Sequence, residues 1–169
     1  ARHARGGRNQ YAPMTGGPAL RQAVAGKIAR CYGATVEVDS EITVTSGATE
    51  AIFAAVHAVV RAGEEVIVLD PCYDCYEPAI DLAGARAVHV ALATDVSVDW
   101  QRVKDAITPR TRMIMINTPH NPAGSVFSSE DVAALLDIVR DTEIIVLSDE
   151  VYEQIIFDGL RHESMRRHP

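Results

Sequence analysis

Two short segments, NTPHNPAG at 117–124 and SDEVYE at 148–153, carry polar side chains whose chemistry suits a flat, nitrogen-containing ring. Asp149 closes an apolar run, where a carboxylate is costly unless it is partnered. A protonated ring nitrogen is such a partner: the carboxylate raises the pKa of that nitrogen and keeps the ring an electron sink for a carbanion. A helix N-cap or a plain surface charge would account for the same residue. Tyr152 and Asn121 can each donate a hydrogen bond to an oxygen on such a ring, although Asn-Pro followed by Gly is also a good turn signal. Neither segment is followed by a lysine, and Lys27 and Lys104 both lie upstream.

Two more segments have matching chemistry. TSGATEA at 45–51 reads as a strand end, then Gly47 for close backbone approach, then a helix whose first amides, near Ala48 to Glu50, lack partners. That is a phosphate cup, with the Thr49 hydroxyl as a further donor; an ordinary glycine turn fits the segment equally well. DPCYDCYEP at 70–78 puts Tyr73 just past a strand, where its ring can lie on a planar heterocycle or simply pack. The Cys72 to Cys75 spacing matches half a zinc or redox site, but no second ligand pair accompanies it and no metal site is expected.

The elements that must position these residues alternate. Pro18 opens a helix that runs to Tyr32 and ends at Gly33. ITVTS (42–46) reads as a short strand. AIFAAVHAVV continues from Glu50 as a helix, apolar on nearly every side and so expected to be buried, that Gly63 stops. Then come a strand at 65–70, a helix at 73–82, a strand at 85–92, a helix to Ile107 capped by Asp99, a strand at 112–118, a helix from Ser128 to about Arg140 with a capping pair at Ser128 and Asp131, and a strand at 143–149. Such alternation implies an α/β fold whose mostly parallel sheet is covered by helices on both faces. In sheets of this kind functional groups gather past the carboxyl ends of the strands. Ser46 to Thr49, Asp70 to Tyr73, Asn117 to Gly124 and Asp149 to Tyr152 should therefore converge on one edge.

Composition sets outer limits. The 169 residues carry a net charge of −7 and are 47% hydrophobic, which is ordinary for a globular domain. An acidic chain lacks the clustered Lys and Arg that a nucleic-acid footprint needs. Arg2, Arg5, Arg8, Arg166 and Arg167 read as solvated terminal charges. The apolar stretch 51–60 is too short to span a membrane, and the first ten residues lead into no signal peptide. Three cysteines, an odd number, point to a cytoplasmic protein without a disulfide framework. The chain begins without Met and stops at Pro169, so both ends are expected to be cuts.

Taken in order, TSGATEAI, DPCYDCYEP, NTPHNPAG and SDEVYE resemble the pyridoxal 5'-phosphate enzymes of fold type I, specifically the class I/II aminotransferases. NQYAPMTGGPALR and YDCYEPAI look most like the branch acting on kynurenine, glutamine and methionine. The resemblance implies an irregular segment (1–17) followed by part of the large cofactor-binding domain (18–169), and transfer of an amino group between an amino acid and a 2-oxo acid. It implies that Gly47, Ala48 and Thr49 hold the cofactor phosphate, Tyr73 stacks on the ring, Asn121 and Tyr152 bond the phenolic oxygen, and Asp149 pairs with the ring nitrogen. Tyr11 would reach the phosphate of a neighbouring subunit, which implies a homodimer. His120 has no proton to move and reads as structural. The Schiff-base lysine would fall after Pro169, so neither Lys27 nor Lys104 is expected to take its place and residues 1–169 alone should be inactive. A cysteine-conjugate β-lyase, a non-catalytic cofactor-sensing domain of a transcription regulator, or a truncated scaffold would carry the same motifs.

Overall fold

The computed structural model describes residues 5–7 and 10–168. Arg2 and Arg8, read above as terminal charges, lie outside the described residues. The chain forms two compact units, Ala1–Ser46 and Gly47–Pro169.

In the first unit, α1 (Pro18–Tyr32) starts with Pro in its first turn, and Gly33 ends it at φ 70°, donating its N–H to Ala29 O. That left-handed conformation is one glycine adopts without penalty. Arg21 is the buried side chain of this helix. It donates to Gly16 O (3.2 Å), Val38 O (2.7 Å) and Asp39 Oδ1 (3.1 Å). Residues 42–46 form no strand, contrary to their β-branched composition. Val44 N–H bonds Thr15 O at 3.0 Å, but the segment joins no sheet.

The second unit contains α2 (Ala48–Val59), β1 (Glu65–Asp70), α3 (Tyr76–Leu82), β2 (Arg86–Ala91), α4 (Trp100–Asp105), β3 (Thr111–Asn117), α5 (Ser129–Val139) and β4 (Ile145–Asp149). The strands form one sheet in the order β2-β1-β3-β4, every pair parallel. Period-two alternation sorts the central strands into two cores. Val66, Val68, Met113 and Met115 face Ile52 and Val56 of α2 and Ile80 of α3. Ile67, Leu69, Ile114 and Ile116 face Val103 of α4 and Leu135 of α5. Both faces of β1 and β3 are thus buried, as their unbroken Val/Ile/Met runs require.

Several boundaries differ from the sequence reading. α2 begins at Ala48 and ends at Val59, because Val60 is extended (φ −95°, ψ 141°). It is buried along one stripe only, at Ile52 and Val56, with Phe53 exposed. α3 starts three residues late, since residues 73–76 close a turn in which Tyr76 N–H bonds Tyr73 O (3.1 Å). β4 starts at Ile145: Thr142 Oγ1 accepts Ile144 N–H and Arg112 takes Glu143 O, so these groups are satisfied outside a ladder. The caps are as expected. Asp99 accepts the Gln101 and Arg102 amides, and Ser128 and Asp131 form a reciprocal capping box.

Glu65, the first residue of β1, is buried far from the carboxyl ends. Its carboxylate accepts from Arg86 Nη2 (2.8 Å), Thr108 Oγ1 (2.7 Å) and Arg110 Nη2 (2.6 Å) and Nε (3.0 Å). Those bonds, Arg86's first, lower its carboxyl from 4.5 to about 2. A folded-state pKa below the unfolded value contributes stability that is complete above about pH 4.5 and lost as the pH falls toward 2. Glu65→Gln in the full-length protein is expected to cost about 1–3 kcal/mol of stability at pH 7 and to flatten the acid limb of the stability curve, with turnover unchanged. Denaturant melts from pH 7 to pH 3 would check this.

Candidate active site

The carboxyl ends of β1, β3 and β4 and the amino end of α2 meet at one edge of the second unit. They enclose a cleft of about 230 Å³ lined by Ala48, Thr49, Tyr73, Asn117, Asn121, Asp149, Val151 and Tyr152. The convergence expected for Thr49, Tyr73, Asn121, Asp149 and Tyr152 is what the structure shows.

Each side chain arrives by a local device. Gly47 caps α2 at φ 85°, ψ 170°, a conformation essentially restricted to glycine. It leaves the first-turn amides of Ala48 and Thr49 outside the intrahelical ladder. Thr49 also hydrogen-bonds the Cys75 side chain. Tyr73 stands edge-on to Tyr76, with ring centroids 5.8 Å apart and planes at 88°. Burial, with Asp70 adding to it, raises the Cys72 thiol, and burial with Asp149 raises Cys75. Neither has the depressed pKa of a redox-active Cys-x-x-Cys pair, and none of the three cysteines is in a disulfide.

Asn121 is both turn residue and cleft residue. Its N–H donates to Asn117 Oδ1 (2.6 Å), and Gly124 N–H to His120 O (2.7 Å) closes the turn. Asn117 in turn donates through Nδ2 to Asp149 O (2.9 Å), fastening the ends of β3 and β4 together. His120 is buried, and burial lowers its pKa. Its Nδ1 lies 3.4 Å from the Ala123 amide, which fits the structural role assigned to it.

Asp149 sits at the floor, 9% exposed. Its Oδ2 accepts from the Tyr76 hydroxyl at 2.7 Å and its Oδ1 from the Val151 amide at 3.2 Å. Burial, then the bond to Asp149, pushes the Tyr76 phenol far above its ordinary value, so it stays a donor. Among the described residues no Lys, Arg or His forms an ion pair with Asp149. A buried carboxylate held only by neutral donors retains acceptor sites and an uncompensated charge. That fits a cationic ring nitrogen.

Sequence reasoning missed Tyr76, and it placed Asn117 at the converging edge without giving it a role. A polar residue closing the apolar run RMIMIN was a usable signal for Asn117, the same one that marks Asp149. Tyr76 reads as an aromatic on a helix face, and nothing local marks its hydroxyl. Tyr11 belongs to the first unit and is fully exposed. Lys27 lies on α1 of the first unit, beside the Tyr32 ring, and Lys104 lies on α4 and does not line the cleft.

Comparison with known proteins adds a family. The model for aminotransferase class I and II matches residues 1–168. The methionine aminotransferase of Escherichia coli is 50% identical over 170 residues, covering 100% of this chain and 44% of that protein. A probable N-succinyldiaminopimelate aminotransferase of Mycobacterium tuberculosis is 44% identical over 160 residues, covering 93% and 40%. The crystal structure of YbdL from Escherichia coli, reported with a methionine aminotransferase function, superposes with a TM-score of 0.95 at 50% identity, covering 99% of this chain and 45% of that one. The chain spans less than half the length of the curated relatives it matches.

Proposed function

The chain belongs to the class I and II aminotransferases, with their fold type I architecture, and on that premise we propose that the whole protein transfers an amino group between an amino acid and a 2-oxo acid. The cleft is then the cofactor-holding half of its active site, and residues 18–169 are part of the large cofactor-binding domain. The buried carboxylate of Asp149, with no cationic partner among the described residues, carries this reading.

Pyridoxal 5'-phosphate supplies an electron sink for the pair left on Cα when the amino acid loses its proton. Asp149 holds a proton on the ring nitrogen, so that the ring keeps its positive charge. Tyr76 fixes the carboxylate that does so. Ala48 and Thr49 receive the phosphate on their amides and the Thr49 hydroxyl, with Gly47 allowing the close approach. Tyr73 would cover one ring face, and its edge contact with Tyr76 limits its rotation. Asn121, oriented through Asn117, and Tyr152 donate to the phenolic oxygen. Neither Lys27 nor Lys104 moves the Cα proton. Tyr11, fully exposed in its own unit, suits a role toward a second copy, so a homodimer with shared sites is part of the proposal. A cytoplasmic location accords with three cysteines of which none is in a disulfide.

The first donor to try is L-methionine, for which the 50% identical relative is named. Full-length protein saturated with cofactor and mixed with methionine in the absence of a 2-oxo acid should yield one equivalent of the methionine-derived 2-oxo acid per site, with the cofactor left as the amine. Adding a second 2-oxo acid should restart turnover. Ammonia together with pyruvate from a cysteine conjugate, and no amine form, would identify a β-lyase instead; an unchanged cofactor spectrum with every amino acid would sink the enzyme reading.

A further inference from the structure

Asp70 and Cys72 flank Pro71 in the segment that delivers Tyr73 to the cleft, yet neither lines it. Their side chains meet a third. β1 and β2 pair with Val68 opposite His89 and Asp70 opposite Ala91, so Asp70 and His89 are diagonal neighbours on one face of the sheet. That face also carries Val66 and Val68 and is the one α3 covers. His89 Nδ1 lies 3.2 Å from Asp70 Oδ1, and its Nε2 lies 3.5 Å from Glu77 Oε1 on the first turn of α3. Ligand atoms of Asp70, Cys72 and His89 all fall within 4.8 Å of one another.

We propose that Asp70, Cys72 and His89 form a binding site for a zinc-class divalent cation, with Glu77 orienting the imidazole. A hydrogen-bonded trio of Asp70, His89 and Glu77 would need no thiol. The sulfur inside the same small sphere turns a surface cluster into a ligand set. One thiolate, one imidazole and one carboxylate are the donors zinc takes, whereas magnesium and calcium take oxygen alone. Bonds of about 2.0–2.3 Å in tetrahedral geometry put ligand atoms roughly 3.5 Å apart, and half-exposed side chains can close that gap by rotation. Once His89 Nδ1 binds the ion, Nε2–H remains directed at Glu77, the outer carboxylate that metal-bound histidines commonly use. The fourth position is left for water, and the Cys72 thiol proton leaves to solvent.

The site does not use the Cys-x-x-Cys spacing. Cys75 is engaged with Thr49 at the cofactor cleft, and the partner of Cys72 is a histidine on the neighbouring strand. Asp70 and His89 stand on adjacent paired strands, so two of the three ligands are held by backbone that does not need to move.

Cofactor-loaded full-length protein, stripped of metal by a chelator, should bind one zinc ion per chain in competition with a chromophoric chelator. Cys72→Ser and His89→Ala should each weaken that binding by at least about tenfold, and Glu77→Gln by about tenfold. Cys31→Ser should leave it unchanged. With cobalt in place of zinc, a thiolate-to-metal charge-transfer band should be present in the parent and lost in Cys72→Ser. These positions are exposed or half-buried, and circular dichroism would verify that each variant is folded. Zinc binding that survives both Cys72→Ser and His89→Ala, a cobalt complex without the thiolate band, or no binding at about 100 μM free zinc, far weaker than a structural or regulatory zinc site, would each overturn the assignment.

Discussion

Replacing Asp149 by alanine in the full-length protein is expected to lower turnover by about 10- to 10³-fold while changing cofactor affinity much less. A carboxylate beside a cationic nitrogen raises its pKa by about 1–3 units, each unit is about 1.4 kcal/mol, and each such increment is tenfold in rate when expressed in the transition state. Because Asp149 is buried and pairs with no Lys, Arg or His among the described residues, the upper half of that range is the expectation. Affinity rests on other groups, the amides of Ala48 and Thr49 and the side chains of Tyr73, Asn121 and Tyr152, all of which Asp149→Ala leaves in place. The loss should fall on kcat and kcat/KM alike, as for an interaction made in the transition state. Tyr76→Phe is the graded companion. It removes the 2.7 Å donor on Oδ2 but keeps the charge, so its loss should be smaller, and flat with pH because the phenol stays protonated across the assay range. Steady-state kinetics with a cofactor titration would check both, and an Asp149→Ala enzyme with normal turnover would remove Asp149 from the ring nitrogen.

How far the site was legible follows from where its residues lie. Asp149, Asn121, Thr49 and Tyr73 each close or follow an apolar run, and a polar group in that position announces itself because the run must be buried. Tyr76 does not, since its partner is 73 residues away in sequence and its ring is a normal core aromatic on α3. The same limit applies to the elements. Helix caps at Asp99 and Ser128 are local and were readable. Ile42–Ser46 has strand composition, but a strand exists only where a second strand supplies its ladder, and composition carries no information on that. α2 illustrates the converse: an apolar sequence specifies a helix that wants burial on several sides, while the described fold covers only the stripe through Ile52 and Val56.

Uncovered surface along β4 and the segment after it underlies the second large effect. Residues 1–169 produced alone are expected to aggregate. β3 is buried over Met113 to Asn117, whereas β4 beside it is only half-buried from Ile145 to Ser148 and has one ladder neighbour. Its outer edge is a row of backbone donors and acceptors open to another chain. After it, Val151, Ile155, Phe157 and Leu160 are exposed, Phe157 at 72% and Leu160 at 66%, and the last three line a mostly apolar cleft of about 360 Å³. An open parallel edge beside an apolar surface of that kind favours association over a monomer. Size-exclusion chromatography with light scattering should find large, polydisperse species binding a hydrophobic dye, and full-length protein should show neither. A monodisperse 1–169 with a single cooperative melt would mean that the edge of β4 and the 151–160 segment need no cover, and that the four-stranded sheet is a sufficient folding unit.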